Sequence, residues 1–241
     1  MRIAVVGATG RLGALAVRLV SESDDLQLHA SIGRSDSLDE IAGADVVFDA
    51  TRFEVSQQLV ASAQRHGIPA VVGTSGWSAE RIAALGTVSA PVVIVPNFSL
   101  GSVLATALSA MAAPYFETVE IVETHPLTKL DSPSGTATRT AEVIAAAREA
   151  RLSGEQGASS PAQPARGQLV AGIPVHSLRE LGVIAEQRVE LGRSGERLRI
   201  EHVTTSNESY ADGILLAVRR APGLHGVTVG LDALLDLPGR A

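Results

Sequence analysis

Residues 5–13 read VVGATGRLG and place Gly7, Gly10 and Gly13 at G-x-x-G-x-x-G spacing, between an apolar run and a helical stretch. The first glycine permits a tight turn, and the second lets the backbone approach a pyrophosphate. The third permits close packing of the helix whose N-terminal amides bind that anion. The stretch therefore predicts a strand, a dinucleotide-binding turn and a helix. A turn that only joins a strand to a helix is the alternative, whereas a P-loop is disfavoured because no Gly-Lys-Ser/Thr follows.

The end of the second predicted strand bears on the choice of dinucleotide. An acidic residue usually ends this strand and holds the ribose 2′-hydroxyl of NAD. Residues 29–37 read HASIGRSDS, so Gly33 stands at that place and is followed by Arg34 and Ser35. An arginine with no carboxylate beside it favours the 2′-phosphate of NADPH over the diol of NADH. A solvated turn arginine is the alternative.

The pattern of strands and helices predicts two kinds of domain. Up to residue 97, β-branched runs alternate with helical stretches at 12–22, 53–66 and 79–85, which predicts a parallel sheet with right-handed crossovers. After a helix at 101–113, a strand, an alanine-rich helix and a Gly/Ser/Pro-rich loop at 152–168, three segments alternate like antiparallel strands. The closing segments, SYADGILLAVRRA and GVTVGLDALL, resemble helical material that packs back onto the first sheet. We expect an α/β fold, with a Rossmann-like parallel sheet domain plus an α+β domain with a mainly antiparallel sheet.

Composition excludes several classes of protein. The 241 residues are 45% hydrophobic, carry a formal net charge of −6 and include no cysteine. Basic residues form no runs, so neither nucleic acid nor an anionic membrane is an expected partner. No apolar run reaches the roughly 18 residues of a membrane-spanning helix, and the N-terminus reads as a strand and not as a signal peptide. We expect a cytoplasmic protein without a disulfide framework, a thiolate nucleophile or a metal.

A second candidate site lies in residues 123–137, ETHPLTKLDSPSGTA. Ser132 and Pro133 look like the cap and first residue of a helix, so that the amides and hydroxyls that follow would point outward and bind a carboxylate or phosphate. His125 and Lys129 lead into this helix and would bring a titratable acid and a cation to the same anion. The alternative is that both are ordinary surface residues.

The second site resembles the E-x-H-H-x-x-K-x-D-x-P-S-G-T-A signature of the 4-hydroxy-tetrahydrodipicolinate reductases, also called dihydrodipicolinate reductases. The resemblance spans essentially the whole chain, through VVGATGRLG, VVGTSGW at 71–77, VPNFSLGS at 95–102 and GIPVHSLRELG at 172–182. It implies a dinucleotide-binding domain from residues 1–97 with 207–241, and a substrate-binding and tetramerisation domain from 98–206. It also implies hydride transfer from NAD(P)H to a cyclic dicarboxylate in lysine and diaminopimelate biosynthesis, and Arg34 makes NADPH the expected cofactor over NADH. The protein is expected to be a homotetramer, with the antiparallel strands between residues 172 and 203 at the subunit interface.

The resemblance also assigns roles to individual positions. His125 takes the place of the family's catalytic histidine and Lys129 that of its proton-donating lysine. The positions implied to bind substrate are Ser134, Gly135, Thr136 and Ser75. The positions implied to bind the cofactor are Gly7, Ala8, Thr9, Gly10, Arg11, Leu12, Arg34, Gly73, Thr74, Ser75, Val95, Pro96, Asn97 and Phe98.

The sequence departs from the family pattern at several of its motifs. Pro126 replaces the second histidine of the His-His pair, which removes a substrate contact and could re-aim His125. Milder changes place Ser75 for a threonine and Trp77 for a phenylalanine, and Asn207 stands where a cofactor-contacting arginine is common. Two alternatives stay open: a reductase of another cyclic imine or unsaturated acid, and a nucleotide-binding homologue without catalysis.

Overall fold

The structure is a computed structural model that describes residues 1–151 and 164–235. Strand β1 (Arg2–Val6) leads through the glycine-rich turn into helix α1 (Arg11–Glu22), as the glycine spacing predicts. The helices predicted at 53–66 and 79–85 correspond to α2 (Phe53–His66) and α3 (Ala79–Ala83). The other elements, in chain order, are β2 (Gln27–Ile32), β3 (Val46–Asp49), β4 (Ala70–Val72), β5 (Val92–Ile94), α4 (Leu100–Ala112), β6 (Thr118–Pro126), α5 (Gly135–Arg151), β7 (Gln168–Val170), β8 (Ile173–Glu180), β9 (Ala185–Arg193), β10 (Glu196–Thr204), α6 (Ala211–Arg220) and β11 (Val227–Val229).

The first sheet is wholly parallel, with strand order β11-β5-β4-β3-β1-β2. Its central strands are continuous apolar runs because both of their faces are buried. The register sets Val6 opposite both Ile32 and Asp49, and Val72 opposite both Asp49 and Ile94. The turns that follow β1 to β5 therefore lie side by side at the carboxyl edge of this sheet.

The segment GVTVGLDALL differs from its predicted helical character. Val227–Val229 forms β11, which pairs in parallel with β5, and a short 3₁₀ helix follows at Leu231–Leu234. Three β-branched residues between Gly226 (φ 68°) and Gly230 (φ 91°) favour an extended segment with a turn at each end. The C-terminal segment thus contributes a strand, as well as helix α6, to the first sheet's domain.

The second sheet has the order β10-β9-β6-β8-β7, in which only β6 and β8 pair in parallel. Helix α5 packs on it through Ala137, Ala141 and Ile144, which are fully buried with Ile121 and Val189 of the sheet. The predicted mainly antiparallel sheet is confirmed. Of the loop predicted at 152–168, residues 152–163 lie outside the described part of the chain.

The Cα positions divide into two compact units. The first contains Met1–Leu100 and the chain from Asn207, and the second contains Gly101–Ser206. The sequence places the first boundary after residue 97, three residues earlier. Each unit carries one of the two candidate sites.

Candidate active site

The glycine-rich turn of the first unit is held tightly against the end of β2. Gly7 has φ 81°, and the amides of Gly7 and Ala8 donate to the Ile32 carbonyl at 2.9 and 3.2 Å. A Cβ at Gly13 would collide with the Gly7 carbonyl, so only glycine lets helix α1 approach the turn this closely. The Ala14 amide makes the first intrahelical bond, to Gly10 at 2.8 Å. The preceding α1 amides have no acceptor within the helix, and its first turn contains no acidic residue.

The other sequence-predicted cofactor positions follow β4 and β5 at the same edge of the sheet. A Cβ at Gly73 would stand 2.8 Å from the Phe98 ring and 3.0 Å from Leu12, so only glycine leaves room for both side chains at this position. Phe98 is 3% exposed and packs on Phe48 with the ring centroids 5.5 Å apart. Phe98, Val95 and Thr74 are therefore buried supports, whereas Thr9, Gly10, Arg11, Ser75 and Pro96 are exposed. Asn97 is partly buried, and its side-chain oxygen accepts from the Ser99 amide at 2.9 Å.

Sequence reasoning missed a buried carboxylate beneath these turns. Asp49, at the end of β3, is 0% exposed, and burial raises the pKa of its carboxyl group. It accepts from the Thr51 amide and hydroxyl at 3.0 and 2.6 Å and from the Ser56 hydroxyl. The Trp77 indole donates to Ser56 at 2.9 Å, a contact that phenylalanine could not make. Trp77 therefore extends the polar network that fixes the turn after β3.

The end of β2 corrects an expectation. We expected no carboxylate beside Arg34, but the chain folds back and Asp36 Oδ2 accepts from the Gly33 amide at 2.8 Å. The arginine itself is exposed. Spacing on a strand could not reveal this contact, because it depends on a turn that follows the strand.

The second unit contains a hydrogen-bonded cluster built on Glu123 of β6. Glu123 is 0% exposed, and its Oε2 lies 2.5 Å from His125 Nδ1. Both residues lie on the same face of the strand, two positions apart. Burial alone would raise the pKa of Glu123, but hydrogen bonds from His125 and Arg179 outweigh it and lower the pKa to about 2. Glu123 is thus an ionised carboxylate that holds His125 through Nδ1 and leaves Nε2 for other partners.

Arg179 of β8 ties this cluster together, and sequence reasoning missed its part. Its two terminal nitrogens lie 3.0 and 3.1 Å from the two Glu123 oxygens, a bidentate ion pair. Arg179 also donates to the carbonyls of Lys129 and Asp131, at 3.3 and 2.7 Å. One guanidinium therefore fixes both the buried carboxylate and the loop that carries the lysine. The residue was visible within GIPVHSLRELG, but nothing in its spacing pointed to residue 123.

Lys129 is the only lysine in a chain that otherwise uses arginine for its cationic side chains. Its Nζ lies 2.8 and 2.7 Å from the two Asp131 oxygens, and these hydrogen bonds lower the pKa of Asp131. An arginine could make such a pair, but it could not release a proton near neutral pH. Residue 129 is thus the one position in the sequence that carries an amine side chain.

The start of α5 corrects the predicted cap. Ser132 and Pro133 precede the helix, which begins at Gly135, and Ser134 is the capping residue: its hydroxyl accepts from the Ala137 amide at 3.2 Å. Ser134 is 2% exposed, and its amide donates to Glu123 Oε1 at 3.2 Å. Both polar groups of Ser134 therefore have protein partners. Gly135 is exposed with nothing within 4 Å of where a Cβ would stand, so the helix end is open at Gly135.

The described residues show neither a metal cluster nor a membrane helix. Within residues 1–151 and 164–235, no group of three or more His, Asp or Glu side chains is placed to hold a metal ion. No helix in that part of the chain is both long and apolar enough to cross a membrane.

The chain is similar to known reductases along nearly its whole length. A family model described as "Dihydrodipicolinate reductase, N-terminus" matches residues 1–98, and one described as "Dihydrodipicolinate reductase, C-terminus" matches residues 101–235. The 4-hydroxy-tetrahydrodipicolinate reductase of Clavibacter michiganensis subsp. michiganensis is 50% identical over 242 residues, covering 98% of this chain and 87% of that protein. The reductase of the same name from Streptomyces griseus subsp. griseus is 47% identical, covering 98% of each.

A solved structure agrees with these matches. Dihydrodipicolinate reductase from Paenisporosarcina sp. TG-14, solved with dipicolinate bound, superposes with a TM-score of 0.82 at 27% identity, covering 98% of this chain and 99% of that one. The predicted resemblance and fold class are confirmed by both kinds of comparison. The chain belongs to the dihydrodipicolinate reductase family of NAD(P)H-dependent oxidoreductases.

Proposed function

We propose that this chain catalyses the NAD(P)H-dependent reduction of 4-hydroxy-tetrahydrodipicolinate to tetrahydrodipicolinate, in lysine and diaminopimelate biosynthesis. The observation that carries the proposal is the cluster around Glu123, which ties His125, the Lys129 loop and the start of α5 into one hydrogen-bonded unit. The relatives described above share the reductase name. Nothing among them supports another cyclic imine or a protein without catalysis, the two alternatives raised by the sequence.

In this proposal a ring carboxylate of the substrate binds between Lys129 and the α5 N-terminus. At the helix end, the Gly135 amide and Thr136 are the groups proposed to contact this carboxylate. The positive end of the helix dipole also favours an anion there. Lys129 now pairs with Asp131, whose side chain is 62% exposed, so a substrate carboxylate can exchange with Asp131 for the ammonium group. The proposed carboxylate site therefore combines a fixed helix end with a lysine side chain that can change its partner.

Proton transfer falls to two side chains of the same cluster. When bound, the nicotinamide cofactor supplies the hydride to the substrate ring. Lys129 can donate a proton as the ring is reduced, because an ammonium group combines charge with a proton that can be released. His125 has Nδ1 engaged by Glu123, so Nε2 is the nitrogen that can give or accept a proton.

Calorimetric titration with dipicolinate, which the Paenisporosarcina relative binds, tests the substrate site. We expect one molecule per chain, with weaker binding of picolinate because it lacks the second carboxylate. Binding of dipicolinate should weaken by at least about tenfold in Lys129→Met, since a hydrogen bond to a charged group contributes about 1.5–3 kcal/mol. A folded wild-type chain that binds no dipicolinate contradicts the proposal.

The first unit fits a dinucleotide, and we propose that NADPH is preferred over NADH. The tight Gly7 turn, the close approach of Gly13 and the amides at the start of α1 suit a pyrophosphate. The segments after β4 and β5 supply exposed Ser75 and Pro96 at the same edge. Exposed Arg34 offers a cation to a 2′-phosphate, and Gly33 has no side chain that would exclude it.

Replacement of Arg34 by alanine tests this preference. We expect the ratio of kcat/KM for NADPH to that for NADH to fall by roughly fivefold, because an exposed ion pair contributes up to about 1 kcal/mol. Arg65→Ala is the matched control, since Arg65 is an exposed arginine at the far end of α2. A wild-type preference for NADH, or an unchanged ratio in Arg34→Ala, defeats the assignment.

We also propose that the chain is a homotetramer formed through the strands between residues 172 and 203. Edge strand β10 exposes Leu198 and Val203 at 38% and 47%, and Met111 and Tyr115, exposed at 57% and 56%, line the same surface depression as Leu198. Unpaired edges and apolar patches of this kind favour association. Light scattering should give about four times 24.9 kDa, and a monomer at micromolar concentration would disprove the tetramer.

The cytoplasmic location stays a prediction from composition.

A further inference from the structure

The turn after β2 returns a carboxylate to the end of that strand. Asp36 Oδ2 accepts from the Gly33 amide at 2.8 Å, and the Ser35 hydroxyl donates to the other Asp36 oxygen at 3.3 Å. A Cβ at Gly33 would lie 3.4 Å from Asp36 Oδ2. The carboxylate oxygen therefore lies in van der Waals contact with the point at which the side chain of an acidic residue at position 33 would begin.

This carboxylate lies beside the glycine-rich turn. The Ile32 carbonyl accepts from the amides of Gly7 and Ala8, which brings the ends of β1 and β2 together. The Thr9 methyl group is 3.8 Å from the Cβ position of Gly33, the same point from which Asp36 Oδ2 is 3.4 Å away. Asp36 is exposed, so its outer oxygen lone pairs are open to a ligand in the turn.

We propose that Asp36 is a specificity-determining residue that contacts the adenosine ribose, in place of the acidic residue that Gly33 lacks. A carboxylate at this place accepts hydrogen bonds from a 2′-hydroxyl and repels a 2′-phosphate. Asp36 thus opposes Arg34, two residues earlier, and together they keep the preference between NADPH and NADH small. The inference rests on the proposed cofactor site of the first unit.

Calorimetric dissociation constants for NADP⁺ and NAD⁺ test this role without the need for turnover. Asp36→Asn removes the charge but keeps an oxygen that can accept from the Gly33 amide, so the turn should persist. We expect NADP⁺ to bind about fivefold more tightly and NAD⁺ about threefold more weakly, a change of at least about tenfold in the ratio. In the same variant, the ratio of kcat/KM for NADPH to kcat/KM for NADH should rise.

Asp39→Asn is the matched control, because it removes an exposed carboxylate of the same segment that does not contact Gly33. We expect it to change the NADP⁺ to NAD⁺ ratio by less than about twofold. An equal shift in both variants, or an unchanged ratio in a folded Asp36→Asn protein, overturns the inference and leaves the cofactor site standing. If the wild-type chain binds neither nucleotide, the cofactor site and the inference both fail.

Discussion

Replacement of Lys129 by alanine is expected to lower kcat/KM for 4-hydroxy-tetrahydrodipicolinate by about 2–5 kcal/mol, with a fall in kcat as well as a rise in KM. The rise in KM reflects loss of the cation that holds the ring carboxylate. The fall in kcat reflects loss of the proton donor, because an interaction made mainly in the transition state appears in turnover. Steady-state kinetics on the folded variant measure both.

Lys129→Arg separates the two roles, since arginine keeps the charge but cannot release the proton. We expect it to recover most of the KM effect and little of the kcat effect. Because the chain contains one lysine, ¹⁵N-lysine labelling should give a single side-chain ammonium signal, and dipicolinate should shift it. An unchanged kcat in Lys129→Ala would show that this residue is not the acid.

The second large effect is expected at Glu123. Glu123→Gln should lower the free energy of unfolding by about 3–5 kcal/mol. The substitution leaves the Arg179 guanidinium without its ionised partner, and the Arg179 side chain is only 18% exposed. It should also lower kcat, since His125 loses the carboxylate that holds Nδ1. Chemical denaturation and steady-state kinetics measure the two effects.

The same strand provides a matched control. Glu120 contacts His176 Nε2 at 2.5 Å and Arg166 at 3.3 Å, so it belongs to a Glu-His-Arg group of similar composition, but it is 33% exposed. Glu120→Gln should cost less than about 1 kcal/mol and leave kcat unchanged. Equal losses of stability and kcat in the two variants would remove the special role given to Glu123.

Folding stability measured at low pH tests the contribution of Glu123 independently. Its folded pKa of about 2 lies below the ordinary value of 4.5, so ionised Glu123 stabilises the folded state above about pH 4.5. This stabilisation should diminish as the pH falls from about 4.5 toward 2. The stability difference between wild type and Glu123→Gln should therefore shrink over that interval, and a difference that stayed constant would contradict the assigned pKa.

The fold was predictable where local patterns carry it. The glycine spacing predicts the β1–α1 turn because each of these positions excludes a side chain for its own steric reason. The structure shows this at Gly7 and Gly13, where a Cβ would collide with the backbone. The strand β11 was missed because three residues carry too little pattern to indicate a strand, and its pairing with β5 is a long-range contact. The cap of α5 was misplaced by two residues because Ser132 and Ser134 are equally good caps in sequence.

The candidate site was predictable in its reactive groups and not in their supports. His125 and Lys129 lie within one short stretch whose chemistry can be read directly. Arg179 comes from another strand, and it reaches Glu123 only because β8 pairs with β6 in parallel, at a register that sets Glu123 opposite Ser177. Asp36 depends on the conformation of a turn. Supports of this kind require the tertiary structure.

The measurement that tests the central claim most directly is the oxidation of NADPH, followed by absorbance, with freshly generated 4-hydroxy-tetrahydrodipicolinate as the substrate. We expect saturable turnover by the wild-type chain, competitive inhibition by dipicolinate, and a loss of kcat in Lys129→Ala and Lys129→Arg. If the folded chain, shown to bind both NADPH and dipicolinate, left this substrate unreduced or reduced another cyclic imine far faster, the proposed reaction would be wrong.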